Sequence, residues 1–174
     1  MTECPTGTYA DNSTWKCVAT CPSKPMMYGL PSINLCVLNC LPEYNRFAEN
    51  TTRTCALGCP LADNTFADSV SRKCVPTCPA GYFAINSTRT CNLTCPDGEF
   101  ADVLLRKCVA KCSVDPIFYG NRNAKECQTQ CPSTAYGNPL TQECVFDNGG
   151  GSTCPDGFFA DDTTRLCVRK CPMK

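Results

Sequence analysis

Nine times along this chain an aromatic side chain is followed by a small residue and then, in most cases, by a polar turn former. The aromatics are Tyr9, Tyr28, Phe47, Phe66, Phe83, Phe100, Tyr119, Tyr136 and Phe159. The small residues after them are Ala10, Gly29, Ala48, Ala67, Ala84, Ala101, Gly120, Gly137 and Ala160. Asp11, Glu49, Asp68, Asp102, Asn121, Asn138 and Asp161 come next. Four residues further on, six repeats place a basic residue: Arg53, Arg72, Arg89, Arg106, Lys125 and Arg165. This order predicts a β-hairpin. The aromatic lies on a first short strand and packs over a disulfide, and the small residue lets the chain turn. The acid takes the first position of a type I turn, which Asp and Asn favour, and is solvated there. The basic residue begins the return strand and faces the acid across the hairpin. No stretch holds a helical apolar period over ten residues, so little or no helix is expected. The aromatic ladder then makes nine small cores, one per repeat.

Cysteine sets the punctuation. The chain of 174 residues holds 19 cysteines, above the level that marks a disulfide scaffold. Loops of 12 or 14 residues alternate with spacers of 3, and a recurrence of this kind is read as an array before anything else. The length difference falls between the opening cysteine and the aromatic, so the turn end is the fixed part. Two pairing schemes are compatible with spacing. Pairing inside each repeat joins Cys4–Cys17, Cys21–Cys36, Cys40–Cys55, Cys59–Cys74, Cys78–Cys91, Cys95–Cys108, Cys112–Cys127, Cys131–Cys144 and Cys154–Cys167, leaving Cys171 unpaired or intermolecular. Interlaced pairing between neighbours is the alternative. The first is favoured by the interval after Cys144, where Asn148 stands in place of the expected cysteine. Each such bond closes a loop worth roughly 3 kcal/mol in the loop-entropy model.

The expected fold class is therefore small, disulfide-rich and mainly β: an elongated tandem array of single-disulfide β-hairpin repeats with no large core. Eight repeats fill residues 1–147, a glycine-rich linker occupies 148–153, and a ninth repeat with the start of a tenth fills 154–174. Extended spacers would set successive disulfides about 13 Å apart on one face, with the triple glycine at 149–151 as a hinge. Thr2-Glu3-Cys4 enters the first repeat directly and Cys171-Pro172 resembles the opening of another, so a window from a longer precursor is expected.

Composition narrows the function. Few Leu, Ile, Val and Phe are available against an ordering cost of about 1–2 kcal/mol per residue, so cross-links must hold the fold. Those bonds persist in an oxidising compartment, which points to an extracellular or cell-surface location. Sixteen basic and sixteen acidic residues balance to zero, giving no footprint for nucleic acid. No run of 18 apolar residues is present, so no membrane span is expected. With no histidine, nucleophile–histidine catalysis and histidine-bound zinc are excluded. The cysteine pairs are strung out rather than gathered in fours. One carboxylate per repeat is too sparse for the six to eight oxygens calcium takes. No cofactor and no enzymatic activity are expected. The lone Trp15 is read as capping its own hairpin.

Four sequons occur, at Asn12, Asn50, Asn86 and Asn92. The first three asparagines share one repeat position, five residues before the closing cysteine, at the expected turn tip where an exposed N-glycan acceptor belongs. Asn92 lies in a spacer.

The strings Cys-Pro-Thr-Gly-Thr-Tyr-Ala-Asp (4–11), Cys-Pro-Ala-Gly-Tyr-Phe-Ala (78–84), Cys-Pro-Asp-Gly-Glu-Phe-Ala-Asp (95–102) and Cys-Pro-Asp-Gly-Phe-Phe-Ala-Asp (154–161) resemble growth-factor-receptor/furin-like cysteine-rich repeats. They look most like the long tandem versions in surface and secreted proteins of ciliates and other protists. The likeness covers the whole chain, although the three-residue spacer departs from the two-residue spacer common in that family. It implies a structural, glycosylated extracellular protein, a segment of a surface coat, stalk or filament that self-associates. The alternative is the ligand-binding ectodomain of a receptor or a surface antigen. Uniform repeats without an inserted loop favour the first.

Overall fold

A computed structural model describes residues 4–146 and 153–170. The chain divides into two compact units, Met1–Ala80 with Ala84–Cys91 and Gly81–Phe83 with Asn92–Lys174. The expected linker at 148–153 falls outside the described residues except for Thr153, and Cys171 lies outside them.

Each repeat is a two-stranded antiparallel hairpin. The first unit contains β1 (Tyr9–Asp11), β2 (Lys16–Val18), β3 (Tyr28–Leu30), β4 (Leu35–Val37), β5 (Phe47–Glu49), β6 (Thr54–Ala56), β7 (Phe66–Asp68) and β8 (Lys73–Val75). The division between units falls within the hairpin of β9 (Phe83–Ile85) and β10 (Thr90–Asn92). The second unit contains β11 (Phe100–Asp102), β12 (Lys107–Val109), β13 (Tyr119–Asn121), β14 (Glu126–Gln128), β15 (Ala135–Asn138), β16 (Glu143–Phe146), β17 (Phe159–Asp161) and β18 (Leu166–Val168). The fold is mainly β, an array of single-disulfide hairpins. The only helical turn among the described residues is a 3-10 turn, Pro42–Tyr44, closed by Asn45 in the left-handed region.

Register is fixed by the closing cysteine. It stands opposite the small residue: Ala10 pairs with Cys17, Gly29 with Cys36, Ala48 with Cys55 and Ala101 with Cys108. A disulfide then ties that strand to the start of its own repeat, from Cys4–Cys17 through Cys154–Cys167. The extra residues of the longer repeats are absorbed before the aromatic. Repeats two and seven make an isolated bridge there, Ser23 with Met26 and Val114 with Ile117, and repeat three makes the 3-10 turn.

The hairpins do not stand alone. Within each unit the first strand of a hairpin pairs in parallel with the second strand of the next. Within the first unit β1 joins β4, β3 joins β6, β5 joins β8 and β7 joins β10. Within the second, β11 joins β14, β13 joins β16 and β15 joins β18. Three-residue strands are too short to be stable as isolated hairpins. Lateral pairing gives these first strands a second partner and removes an exposed edge.

The cores sit between repeats, which corrects the expectation of one core per repeat. Tyr28 packs with Cys40, Cys55 and Ala48, so its ring covers the disulfide of the following repeat. Phe47 lies against Cys59, Cys74 and Ala67, Phe100 against Cys112 and Cys127, and Tyr119 against Cys131 and Cys144. A single hairpin has no second layer to cover its aromatic; the next repeat supplies one.

Candidate functional surface: the repeat junction and the turn tips

The junction is built from four groups. Its backbone link runs from the small residue to the residue two before the next closing cysteine. Ala10 N–H donates to the Asn34 carbonyl at 2.7 Å, Gly29 to Arg53 at 2.8 Å, Ala48 to Arg72 at 2.8 Å and Ala67 to Arg89 at 2.8 Å. The second unit repeats the bond from Ala101 to Lys125, Gly120 to Gln142 and Gly137 to Arg165.

The small residue is required by the neighbouring ring, not by a turn. It lies within a strand, and a Cβ built on Gly29 would stand 2.5 Å from the Tyr9 ring. The same holds for Gly120 under Phe100 at 2.6 Å and Gly137 under Tyr119 at 2.7 Å. Real Cβ atoms do not approach that closely, so any side chain there forces the ring to move.

The basic position is also reassigned. It does not open the return strand; it closes the turn in the left-handed region. Trp15, Asn34, Arg53, Arg72, Arg89, Arg106, Lys125, Gln142 and Arg165 all have φ between 49° and 59°. The amide of this residue closes a five-residue turn, as in Trp15 N–H to Asp11 at 2.8 Å and Arg165 N–H to Asp161 at 2.8 Å. From there the side chain reaches back to the preceding repeat. The Arg72 guanidinium lies 4.5 Å from the Phe47 ring centroid and that of Arg89 4.2 Å from Phe66. Arg53 donates to the Cys21 carbonyl at 2.8 Å and Arg89 to the Thr65 carbonyl at 2.6 Å. Lys125 pairs with the Asp97 carboxylate. Arg also satisfies aromatic face and carbonyl at once, because its planar fork both stacks and donates. Trp15 fills this position in the first repeat and is 88% exposed, so it does not cap its hairpin.

The acids are buried rather than solvated. Asp11, Glu49, Asp68, Asp102 and Asp161 are all nearly inaccessible. Asp11, Glu49, Asp68 and Asp161 spend both oxygens on the turn, and Asp102 accepts from the Leu105 amide through Oδ1. Asp11 accepts from the Ser13 amide at 2.9 Å and from the Ser13 and Thr14 hydroxyls at 2.7 Å each. Glu49 accepts from the Thr51 and Thr52 amides, both at 2.6 Å. Asp161 accepts from the Thr163 amide at 3.0 Å and the Thr164 hydroxyl at 2.6 Å. The Thr164 hydroxyl, with the Thr163 amide, holds the Asp161 carboxyl below its usual range. The Ser13 and Thr14 hydroxyls do the same for Asp11. Burial alone would raise Glu49, but the bonds from Thr52 and Thr51 outweigh it and its pKa falls. These carboxylates are turn acceptors of the Asx kind. Among the described residues no three of His, Cys, Asp and Glu are gathered to hold a metal ion.

The four sequon asparagines are all exposed. Asn12, Asn50 and Asn86 stand at turn tips, one residue beyond the buried acid position, and Asn92 ends β10. At Asn50 only the Oδ1 atom is engaged, accepting from the Tyr28 hydroxyl at 2.8 Å. In the second unit the Tyr136 hydroxyl bonds Asp162, which occupies the same tip position.

Three clefts among the described residues measure about 180 to 300 Å³. One of about 200 Å³ lies over Asp97, Glu99, Phe100, Arg122 and Lys125. Its cations are already matched: Arg122 is held by Glu143 through two 2.7 Å bonds and Lys125 by Asp97. Small-molecule sites are usually larger and more apolar. No helix among the described residues is long and apolar enough to cross a membrane.

Sequence reading located the junction's parts but not their partners. The ring, the small residue and the arginine were visible as repeat positions. Their contact across a gap of about one repeat had no local signal. Comparison with family models, curated proteins and solved structures returned no match.

Proposed function

We propose that this chain is a structural, glycosylated extracellular protein, a segment of a surface coat, stalk or filament. The observation that supports this reading best is where the chemistry-bearing side chains go. Asp11, Glu49, Asp68 and Asp161 are engaged by their own turns, and Tyr28, Phe47, Phe100, Tyr119, Arg53, Arg72 and Arg89 by the adjacent repeat. The uniform repeats make junctions instead of presenting a loop that departs from the pattern, and binding sites are commonly built on such loops. Nine disulfides and a small apolar complement fit a secreted location, as does the exposure of all four sequon asparagines. Nothing in this reading needs a cofactor. The furin-like likeness supports the architecture and leaves the role to the surface.

Electron microscopy of secreted material, with peptide mapping under non-reducing conditions, tests the proposal. Extended self-associated particles with disulfides inside each repeat support it. Isolated particles that bind a ligand at a fixed ratio would instead establish the receptor ectodomain.

A further inference from the structure

The parallel link between hairpins reverses their direction at every step. In the first unit β1 is antiparallel to β2 and parallel to β4. The turn after β1 therefore opens at one edge of the sheet and the turn before β4 at the other. The β3–β6, β5–β8 and β7–β10 pairings repeat the reversal. Tips of repeats one, three and five share one edge, and tips of repeats two and four share the opposite edge.

The sequence follows this alternation. The first edge carries Asn12-Ser13-Thr14, Asn50-Thr51-Thr52 and Asn86-Ser87-Thr88, whereas the second carries Pro31-Ser32-Ile33 and Ser69-Val70-Ser71. Ile33 and Val70 are exposed at 47% and 67%. We infer that the first unit is sided: N-glycans at Asn12, Asn50 and Asn86 line one edge, and the tips of the opposite edge are bare and partly apolar. The inference rests on the glycosylated extracellular reading above and adds the geometry of the sugar.

The transfer is chemically complete at each tip. A polyprenyl-pyrophosphate-linked oligosaccharide supplies the sugar. The bond from its anomeric carbon to the pyrophosphate oxygen breaks, a bond to asparagine Nδ2 forms, the pyrophosphate leaves, and Nδ2 loses one proton to base. The first two tips are held without the asparagine Nδ2, because Asp11 and Glu49 take the turn donors. The Tyr28 bond to Asn50 uses Oδ1 and leaves Nδ2 for the sugar. Two repeats insert four strands, so successive glycans stand roughly 19 Å apart at about 4.8 Å per strand.

The test uses the full chain secreted from a eukaryotic cell, with glycopeptide mass spectrometry and hydroxyl-radical footprinting before and after enzymatic removal of N-glycans. Trp15 reports the first edge; Ile33 and Val70 report the second. Expected are sugar at all three tips and a rise in Trp15 oxidation of several-fold on deglycosylation, with Ile33 and Val70 unchanged. Asn12→Gln should produce the Trp15 rise alone. Ser69→Asn, which completes a sequon with Val70 and Ser71, should shield Val70 and leave Trp15 as it was. Sugar at Asn92 only, or shielding of Trp15 by Ser69→Asn, overturns sidedness while leaving the glycoprotein reading intact. A chain with no sugar at any site overturns both.

Discussion

Tyr9 occupies the space that any side chain on Gly29 would need, although the two belong to different repeats. Their contact makes the glycine a joint between repeats rather than a hinge within one. Substitution at these positions should therefore loosen a junction and leave each disulfide-closed hairpin intact.

Gly120→Ala tests this, with the buried Phe100 directly over the site. Overpacking of this kind costs about 1–3 kcal/mol. Hydrogen exchange should show the loss in the Ala101 amide, which donates to Lys125 across the same junction. Amides of the neighbouring turns should stay protected.

Arg89 joins two repeats through the Phe66 ring and the Thr65 carbonyl. Arg89→Ala should weaken the junction by about 1 kcal/mol, the range of a half-buried cation–π contact. It should also open exchange at Ala67. Arg89→Gly relieves the cost of the left-handed backbone but loses the same side chain. Its Ala67 amide should consequently exchange as fast as in the alanine variant while the turn itself tightens.

Acid should act on the turns. Asp11, Glu49 and Asp161 all have lowered pKa values in the folded chain. A lowered folded pKa means the unfolded chain binds protons first as pH falls. The contribution is then complete above the ordinary carboxylate range and is lost as pH drops through the folded values. NMR shifts of the Ser13, Thr51 and Thr163 amides should stay constant from neutral pH downward and move only below that range. Asp68→Ala should loosen its own turn at neutral pH. It removes the acceptor for the Val70 and Ser71 amides at a cost of about 1–2 kcal/mol.

Reduction is the global test. With cores of a few side chains at each junction, the disulfides carry a large share of the stability, at roughly 3 kcal/mol each. Excess reductant should expand the chain by size exclusion and abolish its strand signal by far-UV circular dichroism at neutral pH. Retention of the hairpins after complete reduction would refute the dependence.

Much of this was legible in the sequence because the hairpin is a local object. The positions of turn, strand and closing cysteine repeat with the same offsets, and the structure keeps them. What was misread depends on contacts between repeats. Nothing near Tyr28 says that its ring covers Cys40 and Cys55 rather than its own disulfide. Nor does the identity of Asp68 reveal burial, since aspartate is usually exposed. The clue lay in the residues after it, whose amides and hydroxyls needed an acceptor. The basic position misled for a related reason. Arginine is uncommon at positive φ, so its place at Arg72 and Arg165 looked like a strand start until the backbone showed otherwise.

The reversal of direction between neighbouring hairpins gives the first unit a reading frame of two repeats. Losing or duplicating a single repeat there would transfer every later tip to the other edge, even though each hairpin still folded and each junction still closed. Only changes in pairs would keep Asn12, Asn50 and Asn86 in one row. Growth of such an array by single repeats would be neutral for stability and disruptive for its surface.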